Sequence, residues 1–138
     1  MSIEAALRGL LVANSPVNTV VSGRIYPTRT PDNATFPCIS YQRVSTQREH
    51  TLESPGNFTT CFFQLDIWAQ KLSPTNVGGA EVARDLARKV QTALDGFRGT
   101  VSGVDIQGIL SENESHGYEN DIEVYRVTQQ WRVMFREG

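Results

Sequence analysis

The chain has 138 residues, of which 39% are hydrophobic, and a net charge of −2. A chain of this length buries about two-thirds of the surface that its unfolded form exposes, so it needs neither disulfides nor metals for stability. The charge speaks against the clustered basic excess of a nucleic-acid-binding protein, and no apolar run is long enough to span a membrane. We expect one domain over residues 1–138, with no signal peptide, made in the cytoplasm and kept there or in a particle assembled there.

The N-terminal segment predicts two helices followed by an extended stretch. Residues 2–13 form an amphipathic pattern that Ser2 can cap. Residues 17–22 predict a second, short helical turn, which Gly23 can end because a residue without Cβ adopts the left-handed conformation readily. Pro27 restricts Tyr26 to an extended conformation, so the chain leaves the helical region there.

Two strands are predicted next, at residues 39–44 and 58–69. Along the second, apolar and polar side chains alternate with the two-residue period of a half-buried strand. Phe62 and Trp68 interrupt the polar face of that alternation, so we expect this face to be covered within the subunit or to contact a neighbour. The connection at residues 45–57 is long and polar, which is typical of functional loops.

The second half of the chain predicts a long helix and two more strands. Residues 76–95 carry an apolar stripe and an Asp85–Lys89 pair at helical spacing, and Gly96 follows as a stop. Strands are predicted at residues 104–110 and 125–135. The order is therefore α-β-β-α-β-β. The expected fold class is α+β, with an antiparallel sheet of about four strands and two main helices packed on one face.

Few residues offer catalytic or metal-binding chemistry. His116 lies among carboxylates but has no nucleophile motif beside it, and we expect Cys38 and Cys61 to be reduced, buried thiols. The segment joining the last two predicted strands, which we expect to be a loop, carries five acidic residues: Glu112, Glu114, Glu119, Asp121 and Glu123. Their spacing is not that of a calcium loop, so the sequence predicts no metal site, no cofactor and no catalytic residues. The acidic group is either a solvated loop or an electrostatic contact surface.

With these elements placed, the chain resembles the tail-completion, or tail-terminator, family of long-tailed bacteriophages. The resemblance rests on the order and spacing of several segments over nearly the whole chain. They are Ala6-Leu7-Arg8, Ser22-Gly23-Arg24-Ile25-Tyr26-Pro27, Phe36-Pro37-Cys38-Ile39-Ser40-Tyr41, Phe63-Gln64-Leu65-Asp66-Ile67-Trp68-Ala69, Ala83-Arg84-Asp85-Leu86-Ala87-Arg88-Lys89-Val90 and Tyr125-Arg126-Val127-Thr128-Gln129-Gln130-Trp131-Arg132-Val133.

The resemblance implies a structural virion protein of the head–tail neck, acting as a ring of probable six-fold symmetry. Such a ring caps the head-proximal end of the tail tube, ends tube polymerisation, offers a surface to head-completion proteins and leaves a channel for DNA. The implied partners are further copies of the chain, the tail-tube protein and the head-completion protein, with no membrane and no sequence-specific DNA binding. A ring of identical subunits needs head-to-tail surfaces that close by rotation.

Two groups of residues are the candidates for these contacts. The candidates for inter-subunit or tail-tube contacts are Arg43, Arg48, Glu49, His50, Phe62 and Trp68. The acidic residues Glu112, Glu114, Glu119, Asp121 and Glu123 are the candidates for the channel wall or the head-side contact.

Three alternatives remain open at this point. The chain could be another neck component or the tail protein of a gene transfer agent. It could be a small hydrolase that uses His116, or a nucleic-acid-binding module, since Arg29, Arg43 and Arg48 lie near Tyr26 and Tyr41 in the sequence.

Overall fold

The computed structural model describes residues 2–28, 30, 35–48, 58–70, 78–119 and 124–136. These residues form three helices and six strands. The helices are α1 (Ile3–Ala13), α2 (Ser15–Val21) and α3 (Gly78–Leu94). The strands are β1 (Ile25–Pro27), β2 (Cys38–Arg48), β3 (Phe58–Gln70), β4 (Gly99–Val101), β5 (Val104–Glu119) and β6 (Val124–Arg136).

α1 matches the predicted helix to within one residue, whereas α2 begins at Ser15, two residues before the predicted start, because Asn14 caps it and Pro16 fits its first turn. The Ser2 side chain accepts a hydrogen bond from the Ala5 amide at the start of α1, and the Asn14 side chain caps α2 in the same way. Ser22 and Gly23 both have positive φ angles, 49° and 77°, and this left-handed pair ends α2. The chain then continues into β1, so the extended conformation predicted before Pro27 belongs to a strand.

The predicted fold class is wrong in its strand count, its strand directions and its helix count. The sheet has six strands in the order β1-β2-β3-β6-β5-β4, and β1 runs parallel to β2, so the sheet is mixed. It is curled into a half-barrel and carries three helices. The sequence missed β1 and β4 because each is only three residues long, which is too short for a two-residue alternation to be recognised.

Two strands are longer than predicted. β2 continues to Arg48, and β5 continues to Glu119, so the segment expected to be an acidic loop is a strand as far as Glu119. Asp121 and Glu123 lie outside the described residues. Residues 110–116 are exposed on both faces, so burial imposes no alternation there. Backbone pairing with β6 determines the strand instead.

The core lies between the helices and one face of the sheet. α3 contacts β3, β6 and β5, while α1 and α2 contact α3. Alternate residues of β3 and β6 point into this core, including Phe63, Leu65, Trp131 and Val133, all fully buried. The predicted Asp85–Lys89 pair forms on the exposed side of α3 with an N–O distance of 3.2 Å. No helix among the described residues is long and apolar enough to cross a membrane.

Both cysteines are buried thiols that form no disulfide, as the sequence predicts. Cys38 lies opposite Trp68 in the β2–β3 ladder, while Cys61 lies opposite Thr46 farther along the same ladder. Burial raises the pKa of the Cys38 thiol to about 11, an effect that the charge of Arg24 only partly offsets. The thiolate is the reactive form of cysteine, so these thiols are expected to be inert in the folded protein.

Neither thiol is therefore expected to react with Ellman's reagent at pH 8 while the protein is folded. Both are expected to react after unfolding in guanidinium. In the folded protein, burial excludes the reagent and raises the Cys38 pKa, and unfolding removes both effects. The measurement is the released thionitrobenzoate per chain with and without denaturant. Rapid reaction of either thiol in buffer would contradict the packing described here.

Candidate functional site

The face of the sheet opposite the helices, called the open face below, carries a cluster of interacting side chains. Phe62 on β3, Arg132 on β6 and Glu112 on β5 form the first group, which we call the Phe62 triad. The guanidinium carbon of Arg132 lies 5.8 Å from the centre of the Phe62 ring, and its Nη2 atom lies 2.5 Å from Oε1 of Glu112. The arginine thus covers the aromatic ring while the glutamate balances its charge.

A second group of the same composition lies farther along the open face. In this Trp68 triad, Arg126 lies 5.8 Å from the centre of the Trp68 ring, and its Nη1 atom lies 2.8 Å from Oε1 of Glu119. The Trp68 indole also donates a hydrogen bond to the Ser40 hydroxyl on β2 at 3.2 Å. The two triads repeat one arrangement, an aromatic ring on β3, an arginine on β6 and a glutamate on β5.

Polar side chains, among them one carboxylate, fill the open face between the triads. The Asp66 carboxylate accepts hydrogen bonds from the Thr128 hydroxyl at 2.6 Å and from the Gln64 amide at 3.1 Å. One row of four amide residues crosses four strands in direct register: Gln42, Gln64, Gln130 and Asn113. This part of the open face therefore offers hydrogen-bonding groups with little net charge.

An apolar strip lies beside the Phe62 triad. Val44 is 55% exposed and Leu110 is 43% exposed. Leu110 lies opposite Arg132 in the cross-strand row that contains Phe62, and Val44 is the extra residue of β2 next to Ser45, which lies opposite Phe62. A cavity of about 330 Å³ opens next to Phe62, lined by Val44, Ser45, Phe62, Phe63 and Gln130. Large exposed apolar side chains grouped with a shallow cavity are typical of protein contact surfaces.

The remaining contact candidates lie on or beyond β2. Arg43 forms an ion pair with Glu4 of α1 and donates a hydrogen bond to the Thr46 hydroxyl, so this arginine ties the sheet to the first helix. Arg48 is the last residue of β2. Glu49 and His50 lie outside the described residues, so their predicted role stays a prediction.

Glu114 and His116 do not lie on the open face. They point to the helix side of the sheet, where the Glu114 carboxylate accepts a hydrogen bond from the buried Gln129 amide at 2.9 Å and lies 3.3 Å from His116 Nε2. The same Gln129 amide donates to the Ala87 carbonyl, and its oxygen accepts the Trp131 indole N–H at 3.1 Å. The structure thus separates Glu114 from Glu112 and Glu119, which the sequence grouped together.

Among the described residues, the helix-side pair has no serine, threonine or cysteine nucleophile in the cavity beside it. That cavity has a volume of about 280 Å³ and is lined by Arg84, Ala87, Arg88, Gln91, Glu114 and His116. In the part of the chain that the structure describes, no group of His, Cys, Asp or Glu residues is arranged to hold a metal ion.

The sequence analysis named four members of the triads but did not bring them together. It placed Phe62 and Trp68 in one candidate contact and Glu112 and Glu119 in another, and it did not single out Arg126 or Arg132. One signal was present: Phe62 and Trp68 are six residues apart, as are Arg126 and Arg132. The cross-strand register, which long-range pairing decides, was needed to see that these spacings coincide.

Comparison with known proteins gives a family and a fold. The sequence matches the family described as tail completion protein gp17 over residues 5–136. No curated protein sequence matches the chain. Among solved structures, a chain of the virion of a native gene transfer agent particle is similar, with a TM-score of 0.78 and 16% identity, covering 99% of this chain and 96% of that one. At this identity the structural similarity shows a shared fold.

The family match spans nearly the whole sequence, including all six strands described above and all of the helices except the first two residues of α1. The chain belongs to the tail completion protein gp17 family, a family of structural proteins of the virion tail.

Proposed function

We propose that this protein is a tail terminator, a six-membered ring that caps the head-proximal end of the tail tube. The ring ends tube polymerisation and offers its upper side to a head-completion protein. The observation that carries the proposal is membership of the tail completion family over residues 5–136. The protein then resides in the neck of the virion and is assembled in the host cytoplasm.

The open face supports a role in contact and geometry. The arginines of the two triads are each balanced by a glutamate within the subunit, so the triads have little net charge with which to hold a polyanion. Its exposed apolar strip beside Phe62 fits a protein surface that becomes buried on assembly. We therefore assign Phe62, with Val44 and Leu110 beside it, to a protein contact in the assembled neck.

The other candidate residues keep related roles in the proposal. Arg43 and Arg48, with Glu49 and His50, have the proposed role of contacting the tail tube or a neighbouring subunit. The acidic residues have the proposed role of lining the DNA passage or contacting the head: Glu112 and Glu119 on the open face, Glu114 on the helix side, and also Asp121 and Glu123. DNA passes through the ring without sequence-specific binding, since the net charge of −2 provides no excess of basic residues to retain it.

The test is a capping assay with tail tubes purified from particles that lack this protein. The wild-type protein is expected to bind one end of each tube as a ring and to stop further elongation, observed by electron microscopy and by the length distribution after adding free tube subunits. A Phe62→Arg variant is expected to cap less efficiently, because it places a charge where an apolar contact is buried. A protein that stays monomeric on the tubes and leaves their growth unchanged would refute the proposal.

A gene transfer agent tail is the second candidate, favoured by the similarity to a chain of such a particle. The two candidates share the capping role and differ in the particle, so identifying the packaged DNA separates them. The hydrolase alternative predicts that His116→Ala abolishes an activity. Our proposal predicts that this variant caps tubes like the wild type, because His116 contacts only Glu114 among the interactions described above.

A further inference from the structure

Among the described residues, the four long strands β2, β3, β6 and β5 lie side by side, and β2 and β5 form the two sides of this group. Each of these two strands has a neighbour on its outer side only along its first half. β1 pairs with residues 39–41 of β2, and β4 pairs with residues 104–106 of β5. Beyond the residues that pair with β4, the two residues that follow α3 bond to the outer edge of β5 as far as Ser111. The Gly96 N–H donates to the Ile109 carbonyl, and the Ser111 N–H donates to the Asp95 carboxylate. No described strand pairs with the outer edge of residues 42–48 or of residues 113–119.

The two uncovered halves have other properties in common. Each is seven residues long, and most of its side chains are exposed. A register irregularity lies within the β2 half, between Arg43 and Ser45, and another lies just before the β5 half, between Ser111 and Asn113. Proteins normally cover or shorten such edges, because an unpaired row of N–H and C=O groups pairs readily with another chain. Two uncovered edges on opposite sides of one sheet are what a head-to-tail contact between identical subunits requires.

The hydrogen-bonding groups that point outward can be identified from the ladder. On β2, Ile39 and Tyr41 bond outward to residues of the β1 side, and they lie opposite odd-numbered residues of β3. In an antiparallel ladder this alternation continues along the strand. The outward-pointing residues in the uncovered half of β2 are therefore those opposite Phe63, Cys61 and Thr59, namely Arg43, Thr46 and Arg48.

The same argument applies to β5. Ile109 and Ser111 bond outward to the end of α3, and they lie opposite odd-numbered residues of β6. The outward-pointing residues in the uncovered half of β5 are those opposite Gln129, Val127 and Tyr125, namely Glu114, His116 and Tyr118. Each edge thus offers three outward-pointing residues, at every second position on β5 and with one extra residue, Val44, between the first two on β2.

The charges of the two edges favour unlike pairing over like pairing. Residues 42–48 include Arg43 and Arg48 and no acidic residue, whereas residues 113–119 include Glu114 and Glu119 and no lysine or arginine. Pairing the β5 edge with itself would place carboxylates near carboxylates, which is destabilising. Because Arg43 and Glu119 already have partners within the subunit, the charge match selects the partner edge more than it adds affinity.

The geometry of a closed ring fits this pairing. β2 and β5 run in opposite directions within the sheet, so they meet as antiparallel strands when the subunit is repeated by rotation. Following the register across the sheet, Thr46 lies at the same level as Val133 of β6, and His116 lies at the same level as Val127 of β6. The two edge positions are therefore offset by six residues along the strands, which is about 20 Å at about 3.3 Å per residue. One repeat spans four strand spacings, about 19 Å, so a strand tilt of about 45° aligns the two halves. Closed barrels have tilts of about this size.

We propose that the uncovered half of β5 in one subunit pairs, antiparallel, with the uncovered half of β2 in the next copy of this chain, joining the sheets around the ring. This inference rests on the proposed ring and names the surfaces that close it. The occupant of each edge is a second copy because the one chain carries both members of a complementary pair.

Proline tests the inference because it removes one N–H donor without disturbing the opposite edge of the strand. His116→Pro and Thr46→Pro each delete an outward-pointing donor, and neither donor serves the ladder inside the subunit. His116→Ala and Thr46→Ala are the matched controls, since they remove the same side chains and keep the N–H groups. Native mass spectrometry, with and without purified tail tubes, gives the oligomer mass. Thermal unfolding shows that each monomer is folded.

Both proline variants are expected to lose the ring while keeping a folded monomer, and both alanine variants are expected to retain it. Mixing the two proline variants provides a further test that does not depend on the loss of a signal. His116→Pro keeps an intact β2 edge and Thr46→Pro keeps an intact β5 edge, so the mixture is expected to form one-to-one heterodimers and nothing larger.

The outcomes separate this inference from the proposed function. Wild-type rings together with proline-variant rings would overturn the edge pairing and leave the tail terminator intact. Homodimers of either proline variant alone would also overturn it, because they require like edges to pair. A wild-type protein that forms no ring with or without tubes would refute the proposed function, and the edge pairing with it.

Discussion

Replacing Trp131 by alanine is expected to lower the free energy of unfolding by about 3–5 kcal/mol. Trp131 is fully buried and lies opposite Phe63 in the β3–β6 ladder, at the centre of the core between the sheet and α3. Its removal leaves a large cavity, and the Gln129 side-chain oxygen loses the indole N–H that donates a hydrogen bond to it. Urea unfolding followed by circular dichroism measures the change, since the signal then does not depend on the tryptophan that is removed.

Two further variants separate packing from hydrogen bonding. Trp131→Phe keeps most of the apolar volume but leaves the buried Gln129 oxygen without its donor, so we expect a loss of about 1–3 kcal/mol. Trp68→Ala removes a tryptophan from the open face, where Arg126 covers one side of the ring, and it should cost less than Trp131→Ala. Equal losses for the two alanine variants would contradict the assignment of the core to the helix side.

Replacing Gly79 by alanine is expected to destabilise the protein by about 1–3 kcal/mol, although alanine favours helix more than glycine does. A Cβ at this position would lie 2.8 Å from the Gln70 carbonyl oxygen and 2.8 Å from Cδ2 of Tyr125. The carbonyl belongs to the backbone at the end of β3, so it cannot move aside as a flexible side chain would. The first turn of α3 must then shift away from the sheet.

Gly9→Ala is the matched control because Gly9 also lies inside a helix. Its added Cβ would meet Ser102 Oγ at 3.7 Å and Val101 Cγ1 at 3.8 Å, which are ordinary contacts. The helix preference of alanine is then unopposed, and we expect a gain of up to about 1 kcal/mol. The two variants are compared by thermal and urea unfolding, and a stabilising Gly79→Ala would show that α3 does not approach the sheet so closely.

Local signals predicted the helices and the long strands because the causes of these elements lie within a few residues. Ser2 and Gly23 act on adjacent backbone groups, and the alternation along β3 follows from burying one face. The same reasoning failed beyond Leu110, where both faces of β5 are exposed and only pairing with β6 maintains the strand. A strand without a buried face does not need alternating apolar and polar residues, so its sequence shows no two-residue period.

The candidate site shows the same division. The sequence identified Phe62 and Trp68 as unusual on a polar strand face, and it identified an acidic group after Leu110. It could not show that Glu112 and Glu119 each balance an arginine beside one of those rings, while Glu114 contacts buried Gln129 on the other face. A register irregularity between Ser111 and Asn113 changes which face each following residue occupies, and such a shift is not visible in composition or spacing.

The sequence by itself determined the helix ends at Ser2 and Gly23, the apolar alternation of the central strands, the burial of both thiols and the resemblance to tail-completion proteins. These features depend on local backbone preferences and on burial patterns, both of which are visible in the order of residues along the chain. The tertiary structure alone decided the mixed six-stranded sheet, the two triads and the two uncovered edges. They arise from pairing between residues far apart in the chain, where register and strand order set which side chains meet.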